Sequence, residues 1–177
     1  MLGSLLLLAT SMMTAPSIDD PLAPARRGLI RCSIPDTARK TCRTFGRYSL
    51  KSGDRYLVDV RGLTTNDGLV IEYRASGAVE RGAICLTLTE NIIGQAQFIK
   101  SGVTLTNAAL AAARQRTIDF LYPLLGKKIC SRDRRDGTGT RAEVSVDDAR
   151  IPELDKPVRW ISEGDGYTIA PPDGEAI

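Results

Sequence analysis

The sequence contains no histidine among its 177 residues. Histidine is the commonest general base at neutral pH and the commonest metal ligand. Its absence excludes Ser-His-Asp and Cys-His catalysis carried by this chain alone. Aromatic residues are also scarce, at 5%, and Trp160 is the only tryptophan. Proteins that stack many bases use more aromatic surface than this, so the composition disfavours a nucleic acid as partner.

A long hydrophobic run is missing as well. The apolar stretch at residues 2–13 is too short for a transmembrane helix, which takes about 20 residues. It is typical of the apolar core of a signal peptide, although no Lys or Arg precedes it and an uncleaved anchor is the alternative. Small residues at Ala15 and at Ala23 and Ala25 offer two cleavage sites. We predict a signal peptide over residues 1–25 and a periplasmic or secreted protein.

The remaining chain has the length of one domain, which we place at residues 26–171, with a disordered tail at 172–177. Hydrophobic residues make up 42% and charged residues 25% of the sequence, as in ordinary globular proteins. The formal net charge is +3, and the predicted signal peptide contributes only acidic side chains, so the mature protein is more basic. A basic balance favours anionic partners without identifying one.

Alternating apolar residues predict strands at residues 55–60, 69–74, 83–88 and 141–147. Helix-start residues and regular spacing predict a short helix at 38–48 and a long helix at 106–125, with Thr106 as its cap and Pro123 shortening its last turn. We therefore predict an α+β fold, in which one long helix packs on an antiparallel sheet of about five or six strands beside a short N-terminal helix. The strand order stays open.

Four cysteines are present, at positions 32, 42, 85 and 130. They allow three pairings, and the order of the predicted elements favours Cys32–Cys42 and Cys85–Cys130. No Cys-x-x-Cys motif is present, which disfavours a thiol oxidoreductase. The closely spaced cysteine pairs of a zinc site are also missing. We expect structural disulfides and no metal or other cofactor.

Arginines form two clusters that are candidates for anion binding. In the first, Arg39, Arg43 and Arg47 recur every four residues, which places them on one face of the predicted short helix. The second cluster flanks a predicted turn and contains Arg132, Arg134 and Arg135. If both clusters converged in space they would form an anion-binding surface, whereas separate clusters would be ordinary solvated faces.

A hydrolase is the alternative to a binding protein, and the sequence offers several candidate pairs of catalytic residues. Lys51-Ser52 and Lys100-Ser101 are adjacent pairs of the kind that could supply a Ser–Lys dyad. Two pairs of carboxylates, Asp133 with Asp136 and Glu163 with Asp165, could supply a glycosidase-like acid and base. All four pairs lie in predicted turns, where such residues usually satisfy local backbone groups.

Residues 32–42 (CSIPDTARKTC), 82–85 (GAIC) and 164–171 (GDGYTIAP) resemble the corresponding segments of a group of small exported alphaproteobacterial proteins of unknown function. The resemblance covers most of the predicted mature chain and rests on the context of the cysteines. It implies a periplasmic setting and assigns no functional residue.

These observations favour an exported, disulfide-stabilised envelope domain with a non-enzymatic binding or structural role. The expected partner is an anionic envelope component or another protein. A periplasmic hydrolase that uses carboxylates or a Ser–Lys pair is the alternative.

Overall fold

The computed structural model describes residues 20–64 and 68–171. The leader at residues 1–19 and the tail at 172–177 lie outside the described residues. In chain order the described helices and strands are α1 (Ala23–Arg26), β1 (Ile30–Asp36), β2 (Thr41–Leu50), β3 (Arg55–Leu63), β4 (Val70–Glu80), β5 (Ala83–Thr87), α2 (Glu90–Gln95), β6 (Gln97–Lys100), β7 (Val103–Thr104), α3 (Asn107–Leu121), β8 (Lys128–Asp136), β9 (Gly139–Val146), β10 (Ala149–Arg150), β11 (Lys156–Ile161) and β12 (Thr168–Ile169).

Eight of these strands close into an antiparallel barrel. Their order around the ring is β1, β2, β3, β4, β5, β8, β9 and β11, and β11 pairs with β1 to complete it. Strands make up 50% and helices 23% of the described chain. The predicted α+β fold with an open sheet of five or six strands is therefore wrong. Closure depends on pairing the first strand with a strand near the other end of the domain, which local alternation does not reveal.

Every second residue of a ring strand points into the barrel. In β3, Tyr56 and Val58 are almost fully buried, as the alternation in residues 55–60 predicted. Their cross-strand partners in β4, Gly77 and Ala75, also face the interior. Large side chains fill this space, and the ring of Tyr48 packs edge-on against Tyr56 at a centroid distance of 5.2 Å. The interior is thus a packed core, as is usual for small barrels of eight strands.

Each end of the barrel is covered by a different part of the chain. At the end that contains the β4–β5 turn, Leu22 is 1% exposed and packs against Tyr56, Val58 and Ile84. Leu22, directly before α1, thus plugs this end of the barrel, and the predicted domain start at residue 26 falls on the last residue of α1.

The helices α2 and α3 cover the opposite end, which we call the helical end. Ile93 of α2 and Ala113 of α3 are fully buried there, in a cluster with Leu69, Ile71 and Phe98. The long helix therefore packs on one end of the barrel rather than on the face of an open sheet. No helix in the described part of the chain is long and apolar enough to cross a membrane.

The predicted helix at residues 38–48 is wrong, because residues 41–50 form strand β2. A spacing of four places residues on one face in a strand as well as in a helix, so the arginine spacing could not distinguish the two. The long helix predicted at residues 106–125 is confirmed as α3. Thr106 occupies the N-cap position, but its side chain makes no capping hydrogen bond, so that part of the prediction is wrong. Pro123 lies in a short 3₁₀ turn, Tyr122–Leu124, that follows the end of α3.

Two disulfides join neighbouring strands, in the pairing that the sequence favoured. Cys32 of β1 bonds to Cys42 of β2, with Cα atoms 5.5 Å apart. Cys85 of β5 bonds to Cys130 of β8, which stands directly opposite it in the register. None of the described cysteines is free. The domain is therefore stapled at two separate places on the barrel wall.

Candidate functional site

A groove of about 650 Å³ lies on the outside of the barrel, and we call it the outer groove. Its base is the outer surface of β2, β3 and β4. One wall is the segment that follows β11, and the other is the region around α2 and β6. The lining residues are Ile30, Phe45, Arg47, Asp59, Val60, Arg61, Glu72, Tyr73, Arg74, Gln95, Gln97, Ile161, Ser162, Glu163 and Tyr167.

The strand register arranges the charged side chains of the groove in rows. Arg47 stands opposite Asp59, which stands opposite Arg74 on the next strand. One step along, Arg61 stands opposite Glu72. Because side chains alternate along a strand, these residues face outward while Val58 and Ala75 face the core. The same alternation that builds the core therefore also builds the charged rows.

Two of the three groove arginines pair with carboxylates on a neighbouring strand. Arg74 holds both carboxylate oxygens of Asp59, at 2.6 and 3.0 Å. Hydrogen bonds from Arg74 lower the pKa of Asp59. The Nε atom of Arg61 lies 3.1 Å from the Oε1 atom of Glu72. Both pairs form across adjacent strands, so the rigid sheet keeps them in place.

Arg47 has a different kind of partner. Its Nη2 lies 2.7 Å from Glu163, which is 116 residues away in sequence and outside the sheet. About half of the Arg47 side chain and 77% of the Glu163 side chain are exposed. An ion pair this exposed contributes little stability, about 0–1 kcal/mol. Glu163 is therefore the groove carboxylate that a ligand displaces most easily.

A short 3₁₀ turn, Glu163–Asp165, positions Glu163. The Asp165 side chain accepts a hydrogen bond from the Ser162 backbone N–H at 2.8 Å, and this bond lowers the pKa of Asp165. Gly166 ends the turn at a φ of 76°, in the left-handed region that glycine adopts without strain. The turn is held by Ser162 and Asp165, so Glu163 is not needed to maintain it.

The floor of the groove is apolar and lies next to a disulfide. Cys32, Cys42 and Ile161 are buried in one cluster, with Phe45 and Tyr167 packed against it. Phe45 and Tyr167 also line the groove. The Cys32–Cys42 disulfide thus lies beside the floor, because Cys32 stands opposite Phe45 in the β1–β2 register, and it holds β1 and β2 together.

The structure separates the residues of the first arginine cluster. Arg39 lies in the β1–β2 turn, where it pairs with Asp36 at 2.6 Å. Arg43 lies within β2 and is half-buried. Arg47 alone lines the outer groove.

The second cluster lies on the other side of the barrel. Arg132, Arg134 and Arg135 belong to β8, which is four strands from β2 in either direction around the ring. Side chains that point outward from β2 and β8 therefore point in opposite directions. The two clusters do not form one surface, although each can still bind an anion by itself.

The residues of the hydrolase alternative do not converge either. Asp133 faces the barrel interior and pairs with Arg31, whereas Asp136 pairs with Arg141 at the hairpin tip. Glu163 and Asp165 have the separate roles described above. Both Lys-Ser pairs lie at exposed turns, one after β2 and the other between β6 and β7.

Sequence reasoning missed Asp59, Arg61, Glu72 and Arg74. The available signal was that Asp59, Glu72 and Arg74 lie on the polar faces of the predicted strands 55–60 and 69–74, and that Arg61 directly follows the first of them. Their pairing required the β3–β4 register, and the contribution of Glu163 required closure of the barrel. Among the described residues, no group of three or more His, Cys, Asp and Glu side chains could hold a metal ion.

Comparison of the chain with protein-family models, curated proteins and solved structures gives no match.

Proposed function

We propose that this chain is an exported, non-enzymatic binding module that holds an amphipathic ligand with an anionic group in the outer groove. The two disulfides support export, because such bonds persist in oxidising compartments. The observation that carries the binding role is an apolar floor beside three arginines in one groove. Its size falls within the range of small-molecule sites, about 300–1,000 Å³.

The apolar part of the ligand lies on the floor made by Phe45, Ile161 and Tyr167. Burial of apolar surface contributes about 25 cal/mol per Å², so even a small ligand body gains from this contact. The two aromatic rings also favour a planar or aromatic ligand body, which can stack on them. This part of the site is non-directional and sets affinity rather than specificity.

The anionic group binds Arg47 after displacing Glu163. Three guanidinium groups and three carboxylates line the groove, so its net charge is balanced until one carboxylate leaves. Asp59 and Glu72 are held within the sheet, whereas Glu163 comes from a separate turn and is largely exposed. A carboxylate, sulfonate or phosphate of the ligand then forms a charge-assisted pair with Arg47.

The dye 8-anilinonaphthalene-1-sulfonate has this chemistry and tests the proposal by fluorescence titration of the oxidised full chain. We expect Arg47→Gln to weaken dye binding by about tenfold, since a charge-assisted hydrogen bond is worth about 1.5–3 kcal/mol. Glu163→Gln should strengthen binding, because it removes the competing carboxylate and leaves the Ser162–Asp165 cap intact.

Arg141→Gln is the matched control. Arg141 is also about half exposed and also pairs with one carboxylate, Asp136 at 2.9 Å, but it does not line the groove. Its replacement should leave dye binding unchanged. Equal binding by wild type and Arg47→Gln, or a loss caused by Arg141→Gln alone, would falsify the proposal.

A further inference from the structure

A second hollow, of about 370 Å³, lies at the end of the barrel that Leu22 plugs. We call it the rim hollow. Residues 20–21 of the N-terminal segment, residues 81–82 of the β4–β5 turn and residues 132–134 of β8 line it. It is separate from the outer groove, and no lining residue is shared between the two.

Three arginines converge on this hollow. Arg81 pairs with Asp148 at 2.7 Å, and Arg134 pairs with Glu143 at 3.5 Å. Both pairs are largely exposed, so their carboxylates can be exchanged at little cost in free energy. Arg132 donates a hydrogen bond to the carbonyl oxygen of Arg81. Among the described residues, no carboxylate lies within ion-pair distance of Arg132, although Glu143 stands opposite it in the β8–β9 register.

The two carboxylates of the hollow are already engaged. Asp20 accepts hydrogen bonds from the Leu22 backbone N–H and from Arg26, at 3.0 and 2.8 Å. Asp133 accepts hydrogen bonds from Arg31 and from the Trp160 indole, at 2.5 and 3.2 Å. Arg26 and Arg31 balance the charges of these two carboxylates, and Asp148 and Glu143 balance those of Arg81 and Arg134. The positive charge of Arg132 is therefore the one in the hollow that has no ion-pair partner among the described residues.

We propose that the rim hollow binds a phosphate or sulfate group, with Arg132 as its principal ligand and Arg81 and Arg134 as additional donors. Guanidinium groups match tetrahedral oxyanions through paired N–H donors in a fixed geometry. The hollow is mainly polar at its lining, so a compact oxyanion suits it better than an apolar ligand. The site does not depend on the outer groove or on its ligand.

The test measures the thermal unfolding of the oxidised full chain in sodium sulfate, sodium phosphate and sodium chloride at equal ionic strength. A bound anion stabilises the folded state by RT ln(1 + [L]/Kd). Sulfate also stabilises proteins by exclusion from their surface. Binding is therefore judged from the difference in stabilisation between the wild type and the variants, which share this general effect. Line broadening of inorganic phosphate in ³¹P NMR measures the binding directly without unfolding.

We expect Arg132→Gln to weaken phosphate binding by about tenfold or more, and Arg132→Lys to retain part of it because the charge remains. Arg39→Gln is the control, since Arg39 is exposed, paired and at the opposite end of the barrel. Arg47→Gln should keep most of the phosphate binding, because inorganic phosphate lacks the apolar body that the outer groove holds. This result would separate the rim hollow from the outer groove. An Arg132→Gln protein that responds to phosphate and sulfate like the wild type would overturn the proposal.

Vesicles of phosphatidylglycerol and phosphatidylcholine distinguish two sources of the anion. Binding to them that is lost in Arg132→Gln, together with phosphate binding, identifies a lipid headgroup as ligand. Phosphate binding without vesicle binding identifies a free oxyanion. If the protein binds neither phosphate nor the vesicles, the proposed site is wrong.

Discussion

Asp133 accepts a hydrogen bond from Arg31 at 2.5 Å inside the barrel, although 102 residues separate them in sequence. Only 8% of the Arg31 side chain and 14% of the Asp133 side chain are exposed. The indole N–H of Trp160 donates to the second carboxylate oxygen of Asp133. This pair joins β1 to β8 across a core that is otherwise largely apolar and aromatic.

Asp133→Leu should lower the free energy of unfolding by about 3–5 kcal/mol, because it leaves the guanidinium of Arg31 buried without its carboxylate. Urea unfolding of the oxidised protein measures this loss. The double variant Arg31→Met/Asp133→Leu should be more stable than Asp133→Leu alone, since no unpaired charge remains. Simple addition of the two single losses would contradict a coupled pair.

Lys156 of β11 makes stability depend on pH. Burial, with a further contribution from the charge of Arg31, lowers its pKa below the ordinary value of 10.5. Between the lowered pKa and that value the unfolded chain binds more protons than the folded one, so the free energy of unfolding rises with pH. Lys156→Met should therefore be more stable than the wild type at neutral pH, with a difference that shrinks as the pH rises.

Urea unfolding of both proteins between about pH 7 and pH 10 checks this, because that interval lies below the ordinary pKa of lysine. The tyrosines act in the opposite direction, since burial raises the pKa of Tyr73 to about 12. Wild type and variant share them, so the difference between the two proteins isolates Lys156. A difference that is constant across the interval would refute the assignment.

Leu22 should be as important to stability as a residue of the barrel wall. Its replacement by alanine should cost about 2–5 kcal/mol, as for other buried leucines. Val103→Ala is the control, because Val103 is 66% exposed and should lose little. A chain that starts at Arg26 should be destabilised at least as much as Leu22→Ala. Thermal unfolding of the three variants tests the role of Leu22 as a plug. If the midpoint of unfolding of Leu22→Ala equals that of the wild type, the plug contributes nothing to stability.

Gly77 should not tolerate a side chain. A Cβ atom at this position would lie 2.3 Å from the hydroxyl of Tyr56 and 2.4 Å from the carbonyl oxygen of Cys85. That hydroxyl donates to that oxygen at 2.8 Å, so Gly77→Ala breaks a buried hydrogen bond as well as overpacking the core. We expect a loss of about 1–3 kcal/mol or more. Gly94→Ala in α2 meets nothing within 4 Å and should be neutral or stabilising.

The two disulfides should differ in their effect on stability. In the chain-entropy picture, Cys85–Cys130, with a sequence separation of 45, contributes about 4 kcal/mol, and Cys32–Cys42, with a separation of 10, contributes about 2.7 kcal/mol. Each disulfide is removed by replacing both of its cysteines with alanine, so the two variants lose the same side-chain atoms. Urea unfolding then measures the free energy that each disulfide contributes. A larger loss from the Cys32–Cys42 pair would show that local strand geometry outweighs loop closure.

The amino-acid sequence by itself determined the local features of this protein. The alternation in residues 55–60 identified the inward residues of β3, and Thr106 and Pro123 marked the limits of the long helix. It also favoured the cysteine pairing that the structure has. These features depend on residues close together in the chain or on simple ordering of elements, which a single sequence displays.

Only the tertiary structure decided the closure of the sheet and the composition of the two candidate sites. The pairing of β1 with β11 abolishes the open edges that the predicted sheet would have had, and it places β2 and β8 on opposite sides. Arg47 consequently meets Glu163, while Arg132 faces a different hollow. The sequence pattern sets which side of a strand a residue occupies, but long-range packing sets which strands become neighbours and therefore which charges meet.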